Sequence, residues 1–230
     1  MKQKKLIIFM PTIEEGGVEK NLFIISNYLI EKISNVSLIT ISKKFKNKFS
    51  KKINLITFNF DFLERMGRRK KFFLGLYLLF VQILKNRDSI VFCLQGNIYC
   101  IILCKLLGIK IIVRSNSSPD GWSQNSFKIL CYKFIFSLAD KIIVNSIDFK
   151  KKFKIKFNLD AVCIYNPLNK KEIIKKSKIK YDIQFNNKKL HLINVGRLVD
   201  QKDQMTLLKA VNLIKDKLNF NLLIVGEGEE

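Results

Sequence analysis

The chain has 230 residues, of which 48% are hydrophobic, so it is long and apolar enough to bury a core and is not a disordered polypeptide. Its single histidine, His191, excludes a histidine-cluster metal site and most catalytic triads that depend on histidine. The five cysteines show no C-x-x-C spacing, which favours reduced, buried thiols in a cytosolic protein over a zinc site.

The positive charge is concentrated in the first part of the chain. The formal net charge is +23, and residues 1–180 hold 35 Lys plus Arg against 12 Asp plus Glu, whereas residues 181–230 hold seven of each kind. A cationic surface confined to one region indicates a polyanionic partner, which could be nucleic acid, an anionic membrane or a phosphorylated substrate.

Apolar runs rich in Ile and Val alternate with helical patterns along the chain. The runs are continuous, which is typical of parallel strands covered on both faces. The first run follows a basic start but stops before Pro11, so it is too short for the apolar part of a signal peptide. Together the runs predict strands at 6–10, 36–41, 53–58, 89–94, 110–114, 141–145, 161–165, 190–195 and 221–225.

Helical stripes lie between most of these runs. Val18, Leu22, Ile25 and Leu29 form one stripe, and residues 207–218 form another with the same spacing. Strand–helix alternation of this kind predicts an α/β fold with an open, doubly wound parallel sheet.

A polar, lysine-rich stretch after Asn166-Pro167 interrupts the alternation near the point where the charge balance changes. We therefore predict a first Rossmann-like domain over 1–168, a linker over 169–189, and the first strand–helix–strand unit of a second domain over 190–230.

The stretch "RMGRRKKFFLGLYLLFVQILKNR" places five cations before a thirteen-residue apolar run. A helix of that length spans about 20 Å, which is short of the roughly 30 Å hydrocarbon core of a bilayer. Two interpretations stay open: a buried crossover helix, or a helix that lies in the membrane surface with its cations on anionic lipid.

In an open α/β sheet, ligands bind at the carboxyl ends of the strands. The loop "PTIEEGGVEKN" follows the first strand, and Gly16 and Gly17 in it would let the backbone approach a ligand at a helix N-terminus. The loop "VRSNSSPDGWSQN" follows the strand at 110–114 and gathers polar groups and the one tryptophan of the chain, which predicts a sugar-binding site.

A third loop, in "NVGRLVDQKDQ", follows the strand at 190–195 and precedes a helical pattern. Arg197 and Lys202 in this loop could meet a diphosphate together with the free N–H groups of the helix. The next strand ends in "GEGEE", where Gly226 and Gly228 allow close approach of a ligand. This is G-x-G without the third glycine, so a dinucleotide-binding fingerprint is unsupported.

The segments "GGVEKN", "LADKIIVNS", "IYNP" and "NVGRLVDQKDQMTLLKAVNLIKDK…LLIVGEGEE" resemble glycosyltransferase family 4, also called glycosyl transferases group 1. The resemblance covers nearly the whole chain. It implies a GT-B fold of two Rossmann-like domains, the first holding the acceptor and the second a nucleotide-sugar co-substrate linked to UDP, GDP or ADP. It also implies retaining sugar transfer with no metal and no other cofactor, and the sequence has no D-x-D pair to hold a divalent cation.

The resemblance also implies roles for particular residues. Arg197 and Lys202 match the basic pair that stabilises the departing diphosphate, which makes them the catalytic candidates. The implied donor-binding residues are Gly16, Gly17, Gly196, Arg197, Lys202, Gly226 and Glu227. The implied acceptor-binding residues are Glu19, Arg114, Asn116, Ser117 and Trp122. Glu19 is equally well explained as a solvated carboxylate in the first turn of a helix.

The sequence departs from the family pattern at two places. Asn116 stands where relatives often have histidine, so a general base is lacking there, although a donor phosphate oxygen takes the acceptor proton in the family's proposed mechanism. The family's E-x₇-E segment would lie beyond Glu230. We therefore expect the 230-residue chain alone to be an inactive fragment, and a full-length gene product to be the enzyme.

The predicted function is a cytoplasmic hexosyltransferase that transfers sugar to a glycan or a lipid-diphosphate-linked acceptor in surface polysaccharide biosynthesis, with peripheral association at the inner face of the membrane. The main alternative is a basic α/β protein that binds nucleic acid or anionic membrane without catalysis. Nucleic acid is not the expected partner, because the aromatic residues lie mostly within apolar runs. A nucleotide-sugar epimerase or dehydrogenase is a third alternative.

Overall fold

The structure is a computed structural model and describes residues 5–13, 17–179 and 188–228. The chain divides into two compact units, Met1–Lys170 and Lys171–Glu230. The division falls close to residue 168, where the sequence predicts the end of the first domain.

The first unit contains a seven-stranded sheet in which every described pairing is parallel. Its strands are β1 (Leu6–Phe9), β2 (Val36–Ile39), β3 (Asn54–Ile56), β4 (Ile90–Cys93), β5 (Lys110–Ser115), β6 (Lys141–Val144) and β7 (Val162–Cys163). They lie in the order β3-β2-β1-β4-β5-β6-β7. The strand order runs outward from β1 in both directions, as in other doubly wound sheets.

The helices of this unit cover both faces of the sheet. They are α1 (Gly17–Lys32), α2 (Arg68–Lys85), α3 (Asn97–Leu106), α4 (Ser126–Ser137) and α5 (Ile147–Phe157). The side chains of α1 join one apolar cluster and those of α2 to α5 join the other. Right-handed crossovers require this arrangement, because the chain moves in one direction along the sheet from β1 to β3 and in the opposite direction from β4 to β7. The predicted doubly wound parallel sheet is confirmed.

The central strands show why the apolar runs are continuous. All four residues of β1 are buried. The adjacent residues Ile7 and Ile8 of this strand belong to clusters on opposite faces of the sheet. Burying each such side chain contributes about 1.5–3 kcal/mol. A polar residue at either position would leave one of the two helix layers without its contact.

The helix α2 is a crossover between β3 and β4 with one buried side. Gly75, Leu79 and Ile83 lie on that side. A Cβ on Gly75 would lie 2.5 Å from Cβ of Pro11, so the glycine lets the helix approach the loop after β1. None of the helices in the described part of the chain is both long enough and apolar enough to cross a membrane.

The second unit contains α6 (Lys170–Ser177), which begins at the boundary, then β8 (Leu190–Val195), α7 (Gln204–Ile214) and β9 (Phe220–Val225). The strands β8 and β9 pair in parallel from Leu190↔Phe220 to Val195↔Val225. The strand–helix–strand unit expected for 190–230 is therefore present. The helix α6 was not predicted, because its polar, lysine-rich sequence suggested a linker.

Candidate functional site

A cavity of about 630 Å³ lies in the first unit, where β1, β4 and β5 end. Its walls come from the loops that follow these strands and from the beginnings of α1, α2 and α3. Residues of this wall include Glu19, Arg68, Gln95, Asn97, Tyr99, Arg114, Asn116, Ser117 and Trp122. The structure thus brings together all five residues that the sequence analysis proposed for the acceptor.

Side-chain amides hold the cavity loops in place. The Gln95 Oε1 atom accepts a hydrogen bond from the backbone N–H of Thr12 at 3.1 Å, which joins the loops after β4 and β1. The Asn97 Nδ2 atom donates to the carbonyl oxygen of Arg114 at 3.1 Å, which joins α3 to the end of β5. Gln95 and Asn97 were missed in the sequence, although both directly follow a strand in the segment "LQGN", which is the position where ligand-binding groups are expected.

Three buried polar atoms of the cavity residues have no hydrogen-bond partner within the described part of the chain. They are Nε of Arg114, Oδ1 of Asn97 and Oδ1 of Asn116. An unsatisfied buried polar group costs about 1–3 kcal/mol, so three of them in one wall need an explanation. A ligand carrying several hydroxyl groups would satisfy them if these side chains turned toward the cavity on binding, because a hydroxyl both donates and accepts.

Arg114 is itself largely used by the protein. Its side chain is buried, and Nη2 donates to the carbonyl oxygen of Ile164 at 3.0 Å and to Oδ1 of Asn166 at 2.9 Å. Burial lowers the pKa of the Arg114 guanidinium from its usual value. The side chain therefore ties the end of β5 to the loop after β7, and Nε is the atom that no described partner engages.

Ser117 and Trp122 form a wall of the cavity with a second role in packing. The Trp122 Nε1 atom donates to Oγ of Ser117 at 3.1 Å. Its indole ring lies 5.2 Å from the ring of Phe136 and 5.6 Å from that of Phe153, centroid to centroid. The tryptophan is thus anchored in the aromatic core beneath α4 and α5 and also lines the cavity.

Lysines of α5 fasten the loop between β5 and α4. The Lys156 Nζ atom donates to the carbonyl oxygens of Pro119 at 2.9 Å and Ser123 at 3.1 Å. The Lys152 Nζ atom lies 3.0 Å from Oδ2 of Asp120, and this hydrogen bond lowers the pKa of the Asp120 carboxyl. Part of the basic charge of the first unit is therefore structural.

The glycine-rich loop before α1 is described only in part. Gly16 lies outside the described residues. Gly17 begins α1, and no described atom lies within 4 Å of the place where a Cβ would be, so packing against the described residues does not explain the glycine. Glu19, two residues later, is half-buried in the cavity wall.

In the second unit, Arg197 and Lys202 lie in the loop between β8 and α7, and both are exposed. Neither has an ion-pair partner among the described residues. The methylene groups of Lys202 lie 3.7–3.9 Å from the place of a Cβ on Gly196, so the side chain folds back over the end of β8.

The start of α7 fixes this loop. Gln204 is buried, and its Nε2 atom donates to the carbonyl oxygen of Arg197 at 2.9 Å. Asp203 has a left-handed backbone with φ of 50°, and its Oδ1 atom accepts from the backbone N–H of Thr206 at 3.2 Å. Two open cations therefore lie beside the positive end of an eleven-residue helix, which is a suitable place for an anion.

The glycines after β9 allow close approach of a neighbouring backbone segment. A Cβ on Gly226 would lie 1.7 Å from the carbonyl oxygen of Gly196, and a Cβ on Gly228 would lie 1.7 Å from that of Leu198. The close approach that requires glycine is thus to the neighbouring loop. Glu227 is exposed, and its carbonyl oxygen accepts from the backbone N–H of Leu198 at 3.0 Å. Gly226 and Glu227 thereby support the loop that carries Arg197.

Among the described residues, no group of three or more His, Cys, Asp or Glu side chains could hold a metal ion.

No protein-family model matches the chain, and no curated protein does. Solved structures resemble it in fold. Anabaena Alr3699/HepE, in complex with UDP and glucose, is 12% identical with a TM-score of 0.63 over 98% of this chain and 61% of that chain. A glycosyltransferase from Rickettsia africae is 17% identical with a TM-score of 0.62 over 98% and 61%. A UDP-N-acetylglucosamine 2-epimerase from Rickettsia bellii is 15% identical with a TM-score of 0.56 over 96% and 62%.

These likenesses define the class of fold. The chain has the α/β fold of the GT-B type that the resemblance implied, and it spans about three fifths of the length of those structures. Because a glycosyltransferase and an epimerase share this fold, the activity has to be argued from the site.

Proposed function

We propose that the chain is part of a glycosyltransferase that moves a sugar from a nucleotide-sugar donor to a hydroxylated acceptor. The observation that carries the proposal is the loop after β8, where Arg197 and Lys202 are exposed and lack described ion-pair partners beside the N-terminus of α7. The fold neighbour HepE was solved with UDP, UDP-glucose, and UDP with glucose, so a donor of that class suits this type of fold.

The two cations act on the leaving group. As the bond from the anomeric carbon to the diphosphate oxygen breaks, negative charge grows on the diphosphate. The guanidinium of Arg197 offers paired donors and the ammonium of Lys202 offers a point charge, so together they stabilise the developing anion. The first N–H groups of α7 add to this field.

The cavity of the first unit holds the acceptor. Its volume of about 630 Å³ is in the range of small-ligand sites. The side chains of Asn97, Asn116 and Arg114 line the cavity and would hydrogen-bond sugar hydroxyls after turning toward them, and the indole of Trp122 would contact an apolar face of the sugar ring. Glu19 lies in the same wall and would orient a hydroxyl.

The reaction proceeds with retention of configuration and without a metal. The acceptor oxygen forms its bond to the anomeric carbon on the face that the diphosphate leaves, and a diphosphate oxygen takes the acceptor proton. Asn116 cannot take that proton, because an amide has no usable basicity, so its part is to hold the acceptor. The motifs around Gly16 to Glu19 and Gly196 to Lys202 support assignment to glycosyltransferase family 4.

We further propose a hexosyltransferase that acts on a glycan or a lipid-diphosphate-linked acceptor in surface polysaccharide synthesis. The strongly basic composition of residues 1–180 supports an acceptor that carries phosphate. The experiment below tests which nucleotide the donor carries.

Nucleotide binding tests the donor site. Thermal stabilisation of the complete gene product by UDP, GDP and ADP should show a shift with at least one of them, since a ligand that binds only the folded state stabilises it. Arg197→Ala/Lys202→Ala should abolish that shift. Lys209→Ala/Lys215→Ala, which removes two cations of the same unit from α7 and its end, should retain it. A site variant that keeps the full shift would refute the donor assignment.

A nucleotide-sugar epimerase is the second candidate, because the Rickettsia bellii epimerase shares the fold. Product analysis separates the two. A glycosyltransferase releases nucleoside diphosphate in proportion to the acceptor supplied, whereas an epimerase changes the configuration of the sugar without needing an acceptor.

A further inference from the structure

The outer side of α2 is an exposed apolar stripe. Phe73, Tyr77, Phe80 and Leu84 follow one another at helical spacing, and 62%, 58%, 38% and 43% of their respective surfaces are exposed. They lie on a different side of the helix from the buried side that packs on the sheet. Large apolar side chains gathered in this way on a surface mark an interaction site.

The next two helices pack on the same face of the sheet and also expose large apolar side chains. A groove of about 460 Å³ lies between α3 and α4, and its walls include Ile102, Leu106, Phe134 and Ile135. At the α2 side, the ring of Phe72 lies 5.4 Å from that of Tyr99 on α3, centroid to centroid. We call the outer side of these three helices the α2–α4 face.

The charged residues within the three helices of the α2–α4 face are all basic, and one of them, Lys105, is paired with Asp140 just after α4. The helix α2 contains five basic residues, α3 contains one and α4 contains two, and none of the three contains an acidic residue. Arg69 and Lys70 are exposed at the start of α2. The helix α1 on the opposite face of the sheet differs, because it contains two acidic and two basic residues.

We propose that the α2–α4 face docks on the surface of an anionic lipid bilayer. Aromatic and aliphatic side chains flanked by cations are the combination that lets a helical surface lie at the boundary of headgroups and acyl chains. The helix α2 would lie in the plane of the interface, with its apolar stripe toward the acyl chains and its cations on the headgroups.

Other occupants fit this face less well. A second copy of the chain would bring two cationic surfaces together, and like charges repel. Single-stranded nucleic acid would use the exposed aromatic rings of this face but not its aliphatic side chains Leu84, Ile102 and Leu106, which cannot stack on bases and can insert among acyl chains.

The face is continuous with the cavity of the first unit. Tyr99 lines the cavity and contacts Phe72 of α2, and Arg68 lines the cavity at the first residue of α2. If the proposed function holds, a lipid-linked acceptor could stay anchored in the bilayer while its sugar enters the cavity. This step rests on the proposed function, whereas the docking itself does not.

Flotation of the complete gene product with vesicles tests the docking. The protein should float at low salt with phosphatidylglycerol–phosphatidylcholine vesicles and stay behind with pure phosphatidylcholine. Phe73→Ser/Tyr77→Ser should weaken binding at least about tenfold, because two inserted aromatic side chains are lost. The matched control is Tyr28→Ser/Leu213→Ser, which removes exposed apolar residues from α1 on the opposite face of the sheet and from α7 of the second unit, and should bind like the wild type.

The charge contribution has its own pair of variants. Arg69→Gln/Lys70→Gln should weaken binding to anionic vesicles about 30-fold, at about one kcal/mol for each cation near the surface. Lys20→Gln/Lys32→Gln removes two exposed lysines from α1 on the opposite face of the sheet and should bind at least tenfold better than the α2 charge variant. Equal loss in both pairs would mean a general charge effect and would overturn the proposal.

Further outcomes are decisive. Failure of the wild type to float with anionic vesicles overturns the proposal. Binding of a short single-stranded RNA, or formation of a dimer, that Phe73→Ser/Tyr77→Ser abolishes while no vesicle binding occurs would assign the face to that partner instead. Arg197→Ala/Lys202→Ala should float like the wild type, so failure of the donor proposal and failure of the docking are separate results.

Discussion

The ends of β5 and β8 both carry basic residues, yet the protein uses them differently. Arg114 at the end of β5 is buried and gives two hydrogen bonds to Ile164 and Asn166. Arg197 and Lys202 after β8 are exposed and lack described ion-pair partners. The position at a strand end is therefore not enough to assign a ligand. The partners that the protein itself supplies decide whether a cation is structural or remains open for an anion.

The largest expected effect is on the open pair. Arg197→Ala/Lys202→Ala should lower kcat of the complete gene product about 10²–10³-fold, because groups that stabilise charge on a leaving group act mainly in the transition state. Steady-state release of nucleoside diphosphate measures it. Lys209→Ala/Lys215→Ala is the control for lost positive charge. Equal activity of the two double variants would show that Arg197 and Lys202 contribute no more to catalysis than other cations of the second unit.

Arg114→Met tests the partnered cation through stability. It should lower the free energy of unfolding by about 3 kcal/mol, since two hydrogen bonds from the buried, charged guanidinium to Ile164 and Asn166 are lost. Urea unfolding followed by tryptophan fluorescence reports this through Trp122. Arg87→Met is the matched control, because the exposed Arg87 gives one hydrogen bond to the carbonyl of Leu107 at 3.3 Å. A loss below about 1 kcal/mol for Arg114→Met would mean that its partners find water.

Gly226→Ala tests whether the loop after β9 supports the loop after β8. The added Cβ would overlap the carbonyl oxygen of Gly196, so we expect a loss of about 1–3 kcal/mol in the stability of the second unit. Hydrogen exchange of the β8 and β9 amides measures it. Gly196→Ala is the control, because its Cβ would meet Lys202 at an ordinary 3.7 Å. Equal protection of both variants would show that the loops can move apart at little cost.

The strands could be predicted because of how they are buried. Each buried parallel strand contacts helices on both faces, so its sequence is one continuous apolar run, as in "LIIF" of β1. All nine predicted strands are present, and the ends differ by a few residues, as where 161–165 becomes Val162–Cys163. The helix α6 could not be predicted from the local sequence. All its residues are exposed, and all except Ile173 and Ile174 are polar.

The candidate site was predictable only where its residues follow one strand closely. Arg114, Asn116 and Ser117 belong to one loop and were identified together. Gln95, Asn97 and Tyr99 reach the same cavity through the pairing of β4 with β5, which a single sequence does not reveal. The two hydrogen bonds of Arg114 cross fifty residues or more of chain, so its structural role could not be separated from a binding role.

Asp140 gives the smallest expected effect, at the edge of the sheet opposite the cavity. Its Oδ2 atom accepts from Nζ of Lys105 at 2.6 Å and from the backbone N–H of Ile111 at 2.8 Å. Burial raises the pKa of the Asp140 carboxyl, but these two hydrogen bonds outweigh burial and the net pKa is lowered. A carboxyl with a lowered folded pKa stabilises the fold above its unfolded value of about 3.9 and loses that contribution as the pH falls through the folded pKa.

Asp140→Asn should therefore cost roughly 0.5–1 kcal/mol at neutral pH, because the pair with Lys105 is about one third exposed and screened by solvent. The difference between wild type and variant should shrink as the pH falls below about 4 in a urea-unfolding series. Nucleoside diphosphate binding at neutral pH should stay unchanged, since Asp140 belongs neither to the loop after β5 nor to the loop after β8. A loss of nucleotide binding in Asp140→Asn would show that contacts at the start of a strand also affect the ligand-binding loops. The difference between Arg114 and the Arg197–Lys202 pair could then not be explained by their direct partners alone.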